Sequence, residues 1–113
     1  MDHIKLKPEI KALWLKALRS GDYKQVKRSL RTKEGFCCLG VLCDISGEGE
    51  WAKHGDLNRY LSKNGNYYKT MPPFSVYGWA LNKYSNSVLS TLAEMNDAGA
   101  SFNTIANYIE KNF

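Results

Sequence analysis

The sequence predicts a small single α+β domain, and three observations carry that expectation. Three stretches place apolar residues at helical spacing, two pairs of short β-prone runs flank turn residues, and one internal ten-residue run is apolar nearly throughout. At 113 residues the chain has the usual size of one domain and is too short for two ordinary cores, so residues 1–113 are expected to fold as a unit. Its 43% hydrophobic and 12% aromatic content supplies the apolar surface that offsets the entropy of ordering.

The first helix is expected over Pro8 to Ser20, because Ile10, Leu13, Trp14, Ala17 and Leu18 recur on one face. Pro8 suits the first turn and Gly21 the position just past the end. Lys11, Lys16 and Arg19 are expected to point away from the apolar stripe. Next, Ser29-Leu30-Arg31-Thr32 and Phe36-Cys37 can pair as a hairpin around Lys33-Glu34-Gly35, with Gly35 supplying a positive φ. The apolar run Phe36 to Ile45 fits helix or strand by periodicity. A helix is expected over residues 37–45, with Cys38, Val41, Leu42 and Ile45 inward and Gly40 admitting a close neighbour.

Ser46-Gly47-Glu48-Gly49-Glu50 reads as a loop by composition. Asn64-Gly65 between Arg59-Tyr60-Leu61 and Tyr67-Tyr68-Lys69 is the strongest hairpin signal in the chain. Met71-Pro72-Pro73 ends that strand and can start a short helix through Val76, Trp79 and Ala80. A C-terminal helical pair follows: Asn86 to Asp97 with Val88, Leu89, Leu92 and Ala93 on one face, then Phe102 to Asn112 with Phe102, Ile105, Ala106 and Ile109, N-capped by Ser101.

The chain opens into a charged amphipathic segment and lacks the apolar stretch that secretion or insertion requires, so it is expected to stay in the cytoplasm, away from membranes. Cys37, Cys38 and Cys43 are an odd number within seven positions, which fits a reducing compartment and no disulfide framework. Their spacing also misses the ligand pairs of zinc sites, and His3 and His54 stand alone, so no metal and no cofactor is expected. Leucines and valine around the thiols argue for burial, which raises a thiol pKa and disfavours nucleophilic use. There is no glycine-rich phosphate loop, and Asp56, Glu94 and Asp97 read as solvent-exposed acids. A non-enzymatic protein is expected.

The net charge of +5 is uneven. Residues 1–33 carry ten Lys or Arg against three acidic residues, a surplus of seven, and the remainder sums to −2. A basic front half favours anionic partners. Lys24, Lys27, Arg28, Arg31 and Lys33 form a dense cluster that can make non-specific contact with nucleic acid. The segment Leu92 to Ala106 has helix-turn-helix flavour, yet its second helix carries only Lys111 as a base and the sequence runs out where a groove-reading helix would follow. The alternative use is a pocket for a small anion, with Arg28 or Arg31 holding a phosphate and Tyr67, Tyr68 or Trp79 stacking on a base. For each of the rings, core packing is the competing role.

The run Phe36-Cys37-Cys38-Leu39-Gly40-Val41-Leu42-Cys43-Asp44 resembles a motif of small accessory proteins encoded by bacteriophages and prophages. Further stretches agree: Leu13-Trp14 to Gly21, Pro72-Pro73 to Trp79-Ala80, and Leu92 through Asn96-Asp97-Ala98-Gly99 to Ile109-Glu110. The resemblance implies a protein made during infection that alters or disarms a host system by binding, as sponges for cyclic nucleotides or plugs for host enzymes do. It also implies a glycine shortly before the first hairpin, where this chain has Val26-Lys27-Arg28-Ser29, and another after Trp79-Ala80, where it has Leu81. The expected function is therefore sequestration of an anionic signalling nucleotide through Arg28, Arg31, Tyr67, Tyr68 and Trp79. Docking on a host protein and nucleic-acid binding are the alternatives, and a homo-oligomer is compatible with each.

Overall fold

The computed structural model describes residues 4–55, 57–82 and 86–113, with backbone alone at His54, Leu57 and Asn86. His3 and Asp56 lie outside the described residues. Among the described residues five helices run α1 Pro8–Arg19, α2 Cys38–Ser46, α3 Phe74–Ala80, α4 Asn86–Asp97 and α5 Phe102–Asn112. The strands are β1 Arg31–Thr32, β2 Gly35–Phe36, β3 Gly49–His54, β4 Leu57–Ser62 and β5 Tyr67–Tyr68. The domain is α+β, with an antiparallel sheet beside a helical layer.

The centre is α2. Cys38 through Cys43 are all buried, and α1, α3 and α4 pack around the helix while β2 leads into it. Such all-round burial explains why the run shows no amphipathic period. Ile45 is only partly covered and Asp44 is exposed at the end facing the sheet. Gly40 is required by contact: a Cβ there would lie 1.8 Å from the Leu30 carbonyl oxygen. The Trp14 indole donates to the Cys38 carbonyl at 3.0 Å and the Cys38 thiol to the Leu92 carbonyl at 3.6 Å, tying α1 and α4 to the same helix.

The apolar stripe of α1 is displaced from its expected position. Ile10, Trp14, Leu15 and Leu18 are buried, whereas Leu13 is 51% exposed. The cause is α5, which covers the flank carrying Lys11, Leu15 and Arg19 at intervals of four. Lys11 donates to the Glu110 carbonyl at 2.9 Å, and Arg19 donates to Asn107 at 2.8 Å and pairs with Glu110 at 3.0 Å. Two residues expected to face solvent therefore clamp two helices together. That exposed pair lowers the Glu110 pKa, first through the hydrogen bond from Arg19.

The sheet order is β2-β1-β4-β3, with β5 also on β4. β1 and β5 share one edge of β4 end to end: Arg31 lies opposite Asn58 and Tyr68 opposite Tyr60, and Leu30 N–H bonds the Lys69 carbonyl at the junction. Both expected hairpins form, the second through a four-residue connection in which Asn66 N–H bonds the Asn64 side chain at 2.8 Å. Gly35 does not adopt a positive φ. Its need is steric, because a Cβ there would meet the Lys24 carbonyl oxygen at 2.0 Å. β3 begins inside the segment expected to be a loop. Gly49 belongs to the strand because its bare Cα sits against the Leu61 carbonyl and the Tyr60 ring.

Gly40→Ala is expected to cost about 3 kcal/mol or more, since backbone cannot withdraw as a side chain would. Chemical denaturation of the variant beside a Gly21→Ala control, whose Cβ would meet no atom within 4 Å but whose φ is +80, separates contact from backbone strain.

Candidate functional site

The C-terminal end of α4 and the segment 25–28 define the site. Asn96 falls on the apolar stripe of α4, four residues after Leu92, and is fully buried. Its amide oxygen accepts from Gln25 at 2.9 Å and from Cys38 N–H at 3.2 Å, and its amide nitrogen donates to the Val26 carbonyl at 2.8 Å. Gln25 also donates to the Ala100 carbonyl at 2.8 Å. The amide nitrogen also reaches the Asp97 carboxylate at 3.5 Å, so this buried side chain is fully partnered while it holds one loop against the start of α2.

Beyond that anchor the chain is left-handed at Arg28, with φ 67°, the one non-glycine residue with positive φ among those described. For an L-residue this conformation costs roughly 1–2 kcal/mol. Asp97 holds it, its carboxylate accepting the Arg28 backbone N–H at 2.8 Å. Asp97 is half-buried, which corrects the expectation of an acid standing in solvent. Glycine would occupy this position without steric cost, so the departure within Val26–Ser29 falls on a residue where it matters. Leu81, at φ −101°, is in ordinary extended backbone and has no such requirement.

A cleft of about 310 Å³ opens beside Arg28. Its polar walls are Arg28, Ser29, Thr70 and Asp97, and its apolar lining comes from Cys37, Met71 and Ala93. Among the described residues the Arg28 side chain makes no ion pair or hydrogen bond, and it is exposed on the rim. Two other hollows differ in this respect. One of about 280 Å³ carries Lys63, which lies 3.9 Å from Glu48, and one of about 210 Å³ carries Arg19, already bound to Asn107 and Glu110.

The remaining residues singled out in the sequence are distributed over the molecule. Arg31 and Tyr68 share a face of the sheet, because the positions they oppose on β4 are two apart. On that face Tyr23, Phe36, Trp51 and Tyr60 form an edge-to-face series with centroids 4.9, 5.7 and 5.0 Å apart. The Arg31 guanidinium lies over Phe36 at 4.6 Å and near Trp51 at 5.4 Å. Asp44 closes the series by accepting from the Tyr23 hydroxyl at 2.6 Å and the Trp51 indole at 3.0 Å. Tyr67 points to the opposite face, as strand alternation requires, and Trp79 is half-buried on α3, whose end is tied to Lys7. None of the three candidate rings lines the Arg28 cleft.

The family model for a domain of unknown function, DUF8296, matches residues 6–113. The chain belongs to the DUF8296 family. No curated protein and no solved structure matches it. The matched span includes every element of the fold, the Arg28 cleft and the Asn96 anchor. Of the residues that line the cleft, sequence reasoning named Arg28 alone as a ligand contact. Asn96 did carry a signal, a polar residue at a core position of the α4 stripe.

The three thiols are buried and free, and among the described residues no cluster of His, Cys, Asp or Glu could hold a metal ion. Cys37 N-caps α2 through its sulfur, which accepts from Gly40 N–H at 3.4 Å, and burial pushes its pKa from 9.0 to about 11. Burial also drives Cys38 and Cys43 well above the ordinary value. A small alkylating reagent is therefore expected to leave the native chain unmodified at pH 7 and to label it in urea. Since folding raises the Cys37 pKa, the stability it carries is complete below about pH 9 and is lost as the pH rises through about 11. Urea midpoints measured from pH 7 to 11 should fall only in the upper part of that range.

Proposed function

We propose that this DUF8296 protein is a non-catalytic binding protein that takes up a small anion, a signalling nucleotide first, in the Arg28 cleft. The observation that carries the reading is an arginine held in a left-handed backbone at the cleft rim, with its guanidinium unengaged by the described residues. Backbone strain that the surroundings over-determine concentrates at ligand clamps, and here Asn96 and Asp97 do the determining. A guanidinium suits phosphate through paired donors. The cleft is at the small end of the usual range for ligand sites, which favours a mononucleotide over a larger ligand. With Tyr67, Tyr68 and Trp79 outside it, the base would rest on Met71.

Among the described residues no helix is long and apolar enough to cross a membrane. The resemblance to phage and prophage accessory proteins supports a setting in the host cytoplasm, where withholding a nucleotide would counter a host system. Docking on a host protein draws weaker support: Leu13, Tyr67 and Phe74 are 51%, 50% and 63% exposed, yet each lies on a different element.

Calorimetry against linear and cyclic nucleotides tests the reading. Arg28→Gly should weaken the bound ligand about tenfold or more, the value of a charged hydrogen bond. The same variant should hold or gain stability, by at most about 1 kcal/mol, because the relief of left-handed strain exceeds the entropic cost of glycine. Arg28→Ala should lose binding without that gain. Silence across the panel, with a host protein co-purifying, would replace this reading by docking; gel shifts that collapse with salt would replace it by nucleic-acid contact.

A further inference from the structure

We infer that Asp97 makes the cleft selective for a mononucleotide whose base presents N–H donors, guanine foremost, with Arg28 on the phosphate and the Asp97 carboxylate on the base edge. The inference rests on the binding reading above and adds the ligand's chemistry to it.

Opposite charges line one small cavity without neutralising each other. The Asp97 carboxylate spends Oδ1 on Arg28 N–H at 2.8 Å, with Asn96 Nδ2 at 3.5 Å, and forms no ion pair with the Arg28 guanidinium. Among the described residues no hydrogen bond engages Oδ2. A ligand that covers this oxygen must offer it a donor, because a carboxylate taken out of water without a partner is costly. A bare anion satisfies Arg28 and is repelled by Asp97, so the pair selects molecules that carry both complements.

The apolar wall formed by Cys37, Met71 and Ala93 supplies the third requirement, a flat apolar body between the two polar ends. Guanine nucleotides meet all three conditions, since N1–H and the 2-amino group lie side by side on one edge. Adenine sets an acceptor nitrogen beside its amino group, and xanthine a carbonyl where guanine has the amine. Each would turn a lone pair toward the carboxylate.

The test titrates the full chain with GMP, cyclic GMP, AMP, XMP and inorganic phosphate, then repeats the series on Asp97→Asn. Asparagine keeps an oxygen for Arg28 N–H, so the loop stays in place, and it turns an N–H₂ toward the ligand. The expected result is a preference for the guanine nucleotides of about tenfold or more over AMP and XMP, with phosphate alone weakest. In Asp97→Asn the guanine nucleotides should weaken about tenfold and XMP should overtake them. Nucleotides that bind with equal strength in the unmutated chain, through Arg28, overturn the inference and leave the binding reading standing. A ranking that Asp97→Asn does not alter overturns it as well. No binding by any nucleotide overturns both.

Discussion

The buried amide of Asn96 is the interaction on which the rest of the structure depends. It accepts from the first amide of α2 and from Gln25, and it donates to Val26, so one side chain joins the end of α4, the start of the central helix and the loop that enters the sheet. In a low-dielectric interior each of these bonds is stronger than in water, and each orphaned partner would be expensive. The geometry of everything attached to that loop follows. β1 enters at a defined register, and Arg28 is carried to a place where its backbone must be left-handed.

Around this joint the molecule is assembled from two kinds of contact. Close approach dominates at α2, where Gly40 lets the Leu30 carbonyl lie against the helix and the thiols fill the interior as small apolar groups. Polar clamps dominate at the surface, where Arg19 and Lys11 of α1 reach Glu110 and Asn107 of α5. Asp44 belongs to a third place, the meeting of α2 with the sheet, and its two hydrogen bonds orient Tyr23 and Trp51. Burial, ahead of the neighbouring carboxylate, raises the Tyr23 hydroxyl to about 12.

This arrangement separates two roles that the basic front half of the chain had seemed to share. Arg31 is committed to the rings of Phe36 and Trp51, and its charge is part of the packing of the sheet face. Arg28, three residues earlier, has its backbone spent and its side chain available at a cleft. The DUF8296 match over residues 6–113 spans every residue that lines this cleft.

Periodicity left residues 37–45 open between helix and strand, and burial on all sides of α2 decided it; sequence alone determined the α+β class, helices α1, α3, α4 and α5, the hairpins around Lys33-Glu34-Gly35 and Asn64-Gly65, and the burial of the thiols. Each of these is written locally, in a period of apolar residues, a cap or a turn. Tertiary structure alone decided the rest. β3 exists because six residues pair with β4, and its glycine-rich opening reads as loop until the Tyr60 ring is beside it. The stripe of α1 shifted because α5 lies on its flank, and Tyr67 parted from Tyr68 because adjacent strand residues face opposite sides. Above all, nothing local marks Arg28 as left-handed or Asp97 as its partner: they are 69 residues apart, and only the closure of the fold sets one against the other.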